Sequence, residues 1–127
     1  MTDSILIGKH IYKLLSENEE LSGHISDKVF PIIAEDGTTF PFVIYERNSI
    51  KGNYCKDGLI EDEVSFGVMV VSLSYLESIE IAQIIRKIFD KNRLLGDIYN
   101  CRLEQISEDY RDNAYIQQLN FNCKIRN

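Results

Sequence analysis

At 127 residues and 14.7 kDa the chain suffices for one domain that buries about two thirds of its unfolded surface, so it needs no staple to fold. A net charge of −6 and a pI near 4.9, with Lys and Arg scattered, argue against a general nucleic-acid binder and against anionic membranes, both of which require clustered cations. The odd cysteine count (Cys55, Cys101, Cys123), the lack of C-x-x-C spacing, the lack of a basic-then-apolar leader and the lack of any apolar run of roughly 18 residues read as a soluble, cytoplasmic protein.

The chain opens with Thr2 and Asp3 as caps for a helix through about Asn18, whose apolar stripe is Ile7, Ile11, Leu14 and Leu15. Glu19 to Ser26 is polar and broken by Gly23, and reads as a turn. Val29 to Ile33 is a short apolar run that Pro31 confines to an edge or irregular strand. After the Asp36-Gly37 turn signal, Phe40 to Arg47 reads as a strand with Pro41 at its start, where a missing donor does least harm. Asn48 to Ile60, with Gly52 and Gly58 among Ile50, Tyr54 and Leu59, reads as a long loop or a projecting hairpin.

Val64 to Leu73 is an unbroken β-branched and apolar run with one glycine, the pattern of a central strand covered on both faces. From Leu76 the period changes: Ile79, Ala82, Ile85 and Phe89, with Ile81, Ile84 and Ile88 beside them, predict an amphipathic helix. Ser74 and Glu77 have capping-box spacing, and the stretch Asn92 to Gly96 carries the stop signals. Ile98 to Ile106 reads as a strand, Ser107 to Asn113 as polar turn material, and Tyr115 to Ile125 as a closing strand. In that last strand Leu119, Phe121, Cys123 and Ile125 alternate inward against outward Gln118, Asn120, Asn122 and Lys124. The order predicts a single α+β domain over residues 1–127, with a mixed, mostly antiparallel sheet of four to five strands and two helices packed on one face.

The residues that could carry chemistry fit a scaffold better than a site. His10 and His24 have no Cys or carboxylate at a ligand spacing, so solvated or partly packed histidines are the favoured reading over a metal site. Glu61, Asp62 and Glu63 could hold a hard cation such as magnesium, but a solvated strand entrance is favoured. Ser65, Ser72, Ser74 and Ser107 lack the G-x-S-x-G setting, no cysteine has an activating histidine, and no glycine pattern forms a nucleotide cradle. The seven tyrosines, without interleaved cations, fit core edges and protein interfaces better than base stacking. The expectation is therefore no catalytic residue, no cofactor and no metal.

DKVFPII at Asp27 to Ile33, TFPFVIYER at Thr39 to Arg47, EVSFGVMVVS followed by the helix around Ile79 to Phe89, and the closing strand QLNFNCKI together resemble the tail completion, or tail terminator, proteins of long-tailed bacteriophages and prophages. The resemblance covers most of the chain. It implies a non-enzymatic virion protein, assembled in the host cytoplasm as a ring, commonly a hexamer, that caps the tail tube, ends its growth and offers a docking face to the head-tail connector protein. Its partners would be copies of itself, the tail tube protein and the connector, without nucleic acid or membrane. Ile50, Tyr54, Leu59, Gln118, Asn120 and Asn122 are the candidate contact residues, and the segment Asn48 to Ile60 reads as mobile in a free subunit and ordered on assembly. The alternatives are another phage neck or connector adaptor, and a small metal-dependent hydrolase built on Glu61, Asp62 and Glu63 with His10 or His24.

Overall fold

The computed structural model describes residues 3–94 and 97–126. The Asp3 carboxylate accepts the Ile5 amide at 3.0 Å and starts a single 3-10 turn, Ser4–Leu6, that runs into helix α1, Ile7–Ser16. Thr2, the other expected cap, lies outside the described residues. Helix α1 buries Ile7, Ile11 and Leu15 at successive turns, with Leu14 half-buried beside them. The expected turn from Glu19 to Ser26 is instead a second helix, α2, Glu19–Ile25, so the expectation of two helices is corrected to three. Asn18 caps α2 by accepting the Leu21 amide at 2.8 Å, and Glu19 and Glu20 occupy the first turn, where the helix dipole favours anions. Gly23 costs about 1 kcal/mol there. Full burial of Leu21 and Ile25 outweighs that penalty, and a reading of polarity alone misses it.

Strands β1 (Val29–Pro31), β2 (Phe42–Cys55) and β3 (Gly58–Ser72) follow, then helix α3 (Tyr75–Phe89), β4 (Ile98–Arg111) and β5 (Ala114–Arg126). They form one mixed sheet in the order β1-β2-β3-β5-β4, in which only β1 with β2 is parallel. The three helices share one face, where Val64, Phe66, Val68 and Val70 of β3 and Leu119, Phe121, Cys123 and Ile125 of β5 meet Ile81, Ile85 and Phe89 of α3 in one core. Phe66 lies edge-on to Phe89 at 5.2 Å and stacks on Phe121 at 5.4 Å between ring centres. The central run is thus covered by helices on one face only. Ser65, Gly67, Met69 and Val71 look the other way, and Leu73 is 61% exposed. The run reads as continuous because Met69 and Val71 join Phe42, Ala114 and Ile116 in a small second cluster on that far face.

Helix α3 buries the predicted stripe from its second turn on: Ile81, Ala82, Ile84, Ile85, Ile88 and Phe89 are in the core. Only the first positions differ, with Leu76 and Ile79 at the exposed rim and Ser78 buried instead. It ends at Phe89, before the expected stop at Asn92, and Gly96 lies outside the described residues. Only half of the capping box forms: Ser74 Oγ accepts the Glu77 amide at 3.3 Å, but the Ser74 amide donates to Ser72 Oγ at 3.1 Å. That frees the Glu77 carboxylate to meet His24 Nδ1 of α2 at 3.2 Å.

Both hairpins are longer than expected. Ser107 to Arg111 continues β4, and the turn is only Asp112–Asn113, whose φ values of 53° and 64° suit a tight type I′ connection. Asn48 to Ile60 is strand on both sides of a Lys56–Asp57 turn, with Gly58 at φ 118°, and Lys51 pairs with Glu63, Gly52 with Asp62. A segment paired along its length is not a mobile loop, and removing Lys51 to Asp57 would take away a ladder.

Candidate functional site

Strand alternation divides the acidic triplet between two faces. Asp62 turns to the helices and accepts the Ser4 hydroxyl at 2.5 Å, whereas Glu61 turns to the far face, where Lys124 Nζ is 3.4 Å away. Glu61 Oε2 is buried without a hydrogen bond among the described residues, and the Lys124 ammonium balances its charge. His24 is engaged with Glu77 on the helix side, and among the described residues no three His, Cys, Asp or Glu side chains converge as metal ligands do. Ser65, Ser72 and Ser74 accept hydrogen bonds within the scaffold, and Ser78 Oγ donates to the Tyr75 carbonyl at 2.6 Å and accepts from Gln117 Nε2 at 3.3 Å. Cys101 and Cys123 are buried side by side, and the Cys123 thiol, together with burial, pushes the Cys101 thiol far above the usual range. A thiol held protonated is a poor nucleophile. No described helix is long and apolar enough to cross a membrane.

What the molecule offers is surface. Of the expected contact residues, Gln118, Asn120 and Asn122 come together on the far face of the sheet. Gln118 Nε2 donates to Asn120 Oδ1 at 3.2 Å, and Asn122 Nδ2 donates to Ser65 Oγ at 3.4 Å. Gly67 makes the arrangement possible, because a Cβ there would lie 2.7 Å from Gln118 Nε2 and 3.0 Å from Asn120 Oδ1. The face is less wet than alternation implies, since Asn122 is only 9% exposed. Ile50, Tyr54 and Leu59 form a separate group. Ile50 packs on the main core, while Tyr54 and Leu59 close over Gly52, whose Cβ would meet them at 2.9 and 3.1 Å. Gly52 pairs with Asp62, which faces the helices, so this group lies on the opposite face of the sheet from the amides.

Two further surfaces escape a reading of the sequence. At the β4–β5 tip, Tyr115 packs on Tyr75 at 5.7 Å and on Tyr110 at 4.9 Å between ring centres, and the Tyr75 hydroxyl donates to Glu108 at 3.0 Å. All three rings keep substantial exposure, and tyrosine clusters of this kind are typical of protein interfaces. Their spread over three elements hides them. Just beyond β1, Ile32 and Ile33 are 73% and 76% exposed, and Ile32 holds φ 66°, a left-handed conformation rare for a β-branched residue, while its amide donates to the Tyr45 carbonyl at 2.8 Å. Pro31, with no amide of its own, marks the site only as irregular.

No protein-family model matches the sequence, and no curated protein matches it. Among solved structures, the chain is similar to a protein chain described as "Virion of native gene transfer agent (GTA) particle", with a TM-score of 0.84 and 11% sequence identity over 98% of this chain and 100% of that one. A second solved structure aligns with a TM-score of 0.68 and 12% identity over 100% of this chain and 98% of that one. At such identities the likeness is one of fold: the chain shares the fold of a chain from a gene transfer agent virion particle over 98% of its length.

Proposed function

We propose that the protein is a structural, non-enzymatic subunit of a phage-like virion, one that assembles with copies of itself into a ring, caps the end of the tail tube and presents a docking face to the head-tail connector. The observation that carries this reading is the whole-length match in fold to a gene transfer agent virion chain. Two features support it. The side chains that could have formed a catalytic or metal centre are divided between faces or committed to packing, and exposed apolar side chains at the hairpin tip (Tyr75, Tyr110, Tyr115) and beyond β1 (Ile32, Ile33) offer surfaces where subunits can meet. The resemblance read from the sequence supplies the place at the end of the tube.

The test is electron microscopy of purified tail tubes assembled with and without this protein, together with native mass of the protein alone. Rings on one tube end, with shorter and more uniform tubes, are the expected result. Rings that attach to the head connector and leave tube length unchanged would assign the protein to the neck instead. A protein that stays monomeric and binds neither tube nor connector would refute the virion reading.

A further inference from the structure

The sheet is open, with two free edges of opposite charge. On one side β1 is only three residues long and pairs with Val43–Tyr45, so the rest of β2 has no neighbour on its outer edge. Among the described residues, the only backbone hydrogen bonds to that edge outside β1 are the Ile32 amide to the Tyr45 carbonyl and the Val43 amide to the Lys28 carbonyl. On the other side β4 is covered at its beginning, where the Asn100 and Cys101 amides donate to the Asn92 and Lys91 carbonyls and the Leu103 amide reaches the Asp90 carboxylate at 3.4 Å. From Glu104 onward it is bare and exposed, until the Asp109 carboxylate takes the Tyr110 amide at 2.7 Å. The bare part of β2, residues 46–55, carries Arg47 and Lys51 against Glu46, and Lys56 follows in the turn. The bare part of β4, residues 104–111, carries Glu104, Glu108 and Asp109 against Arg111, which pairs with Asp109 at 3.0 Å.

We infer that the β4 edge of one copy pairs with the β2 edge of the next, residues 104–109 beside 48–53, so that copies join head to tail. This deepens the ring reading above and rests on it. An unpaired strand edge is a template for another strand, and cations facing acids select which edge it takes. Within one subunit β4 runs opposite to β2, so a neighbour's β4 laid beside β2 continues the antiparallel alternation of the sheet. The two edges differ from each other, so the contact is heterologous, and such contacts close into rings when the rotation permits.

The vertical offset of the edges favours closure. Through the ladders, Gln105 of β4 is level with Glu46 of β2, and Asp109 with Phe42, whereas the bare part of β2 is level with the covered start of β4. Joining bare to bare therefore shifts each copy by about six residues, about 20 Å, for every four strands, about 19 Å, which is a strand tilt of about 45°. Closed sheets have tilts of about 35–45°. The same register brings the β4–β5 tip, with Tyr110 and Tyr115, to the end of β1, where Ile32 and Ile33 stand exposed.

The test is a charge swap followed by native mass and sedimentation. Lys51→Glu with Lys56→Glu on β2, and Glu104→Lys with Glu108→Lys on β4, should each weaken self-association at least about 30-fold. Carrying all four changes in one chain, or mixing the two double variants, should restore it, because opposite charges face again. Melting temperatures confirm folding, and Glu104→Lys alone replaces the β4 pair if loss of the Glu108 contacts to Tyr75 and Gln117 unfolds the chain. Wild-type rings that persist in both double variants overturn the edge pairing and leave the ring reading standing. Loss of association without restoration in either combination also overturns the pairing. A wild-type protein that forms no ring, alone or on tail tubes, removes the ring reading and the pairing with it.

Discussion

Val68 is the position where the architecture is most exposed to a single test. It is fully buried on the helix face of β3, flanked in the sheet by Tyr45 and Leu119. In Val68→Asp a carboxyl placed there has no partner, and it stays in the core only by taking a proton. Raising an aspartate from its usual value near 3.9 to neutrality costs about 4 kcal/mol at pH 7. Loss of the valine's apolar burial adds about 1.5–2 kcal/mol, and burying the neutral acid unpaired about 1–3 kcal/mol. The total, about 7–9 kcal/mol, matches or exceeds the stability of many domains of this length. The pH dependence has a definite sign: the folded variant holds a proton that the unfolded chain releases above about pH 4, so the variant loses stability as pH rises from 4 to 7. Thermal melts at pH 4 and pH 7, with Val68→Ala as a control costing about 2 kcal/mol, should show the gap to wild type widening with pH for the aspartate alone. Soluble Val68→Asp melting within a few degrees of wild type at pH 7 would refute the placement of this strand.

Other outcomes follow from local geometry. Leu76→Gln should change stability by no more than about 0.5 kcal/mol, and Ile85→Ala should cost about 3 kcal/mol, because α3 exposes the first and buries the second; denaturant titration reads both. Ser74→Ala should cost about 1 kcal/mol by removing the cap on Glu77, measured the same way. In the native protein at pH 8 a thiol reagent should label Cys55 alone, since Cys101 and Cys123 are buried and the Cys101 thiol is held protonated, and all three should react in denaturant. Gly67→Val should leave the core intact yet push Gln118 and Asn120 apart, visible as shifts of their side-chain amide resonances.

The legible parts of the fold were those in which one physical signal dominates. The alternation in Leu119 to Ile125 and the i, i+4 stripe of Ile7, Ile11 and Leu15 mark burial directly, because period and burial coincide there. The less legible parts were segments where polarity and structure part company. Glu19 to Ser26 is polar because a helix that contributes only Leu21 and Ile25 to the core turns most of its surface to solvent. Ser107 to Arg111 is polar because it is a strand that extends past the core and stays exposed along its length. Glu61, Asp62 and Glu63 look like one acidic cluster in sequence, and the alternation of a strand dissolves it into two faces. Of the expected contact residues, alternation alone grouped Gln118, Asn120 and Asn122, whereas the position of Ile50, Tyr54 and Leu59 on the opposite face depends on bulges near Asn48 and Tyr54 that no residue type announces.

The sheet order also sets a sequence of events for the folding chain. The β2–β3 and β4–β5 ladders each grow from a two-residue turn, so their closure is local and fast, on the order of microseconds. The β3–β5 ladder joins Ser72 to Tyr115 across α3 and the whole of β4, and loop closure costs about 0.6 kcal/mol for each doubling of the intervening chain. Two preformed hairpins, hinged by α3, must therefore find each other late, and Phe66 against Phe121 is the contact that locks them. Weakening that pair should slow folding, and so should changes at the Lys56–Asp57 turn, because the hairpin it closes is already formed when the two halves meet.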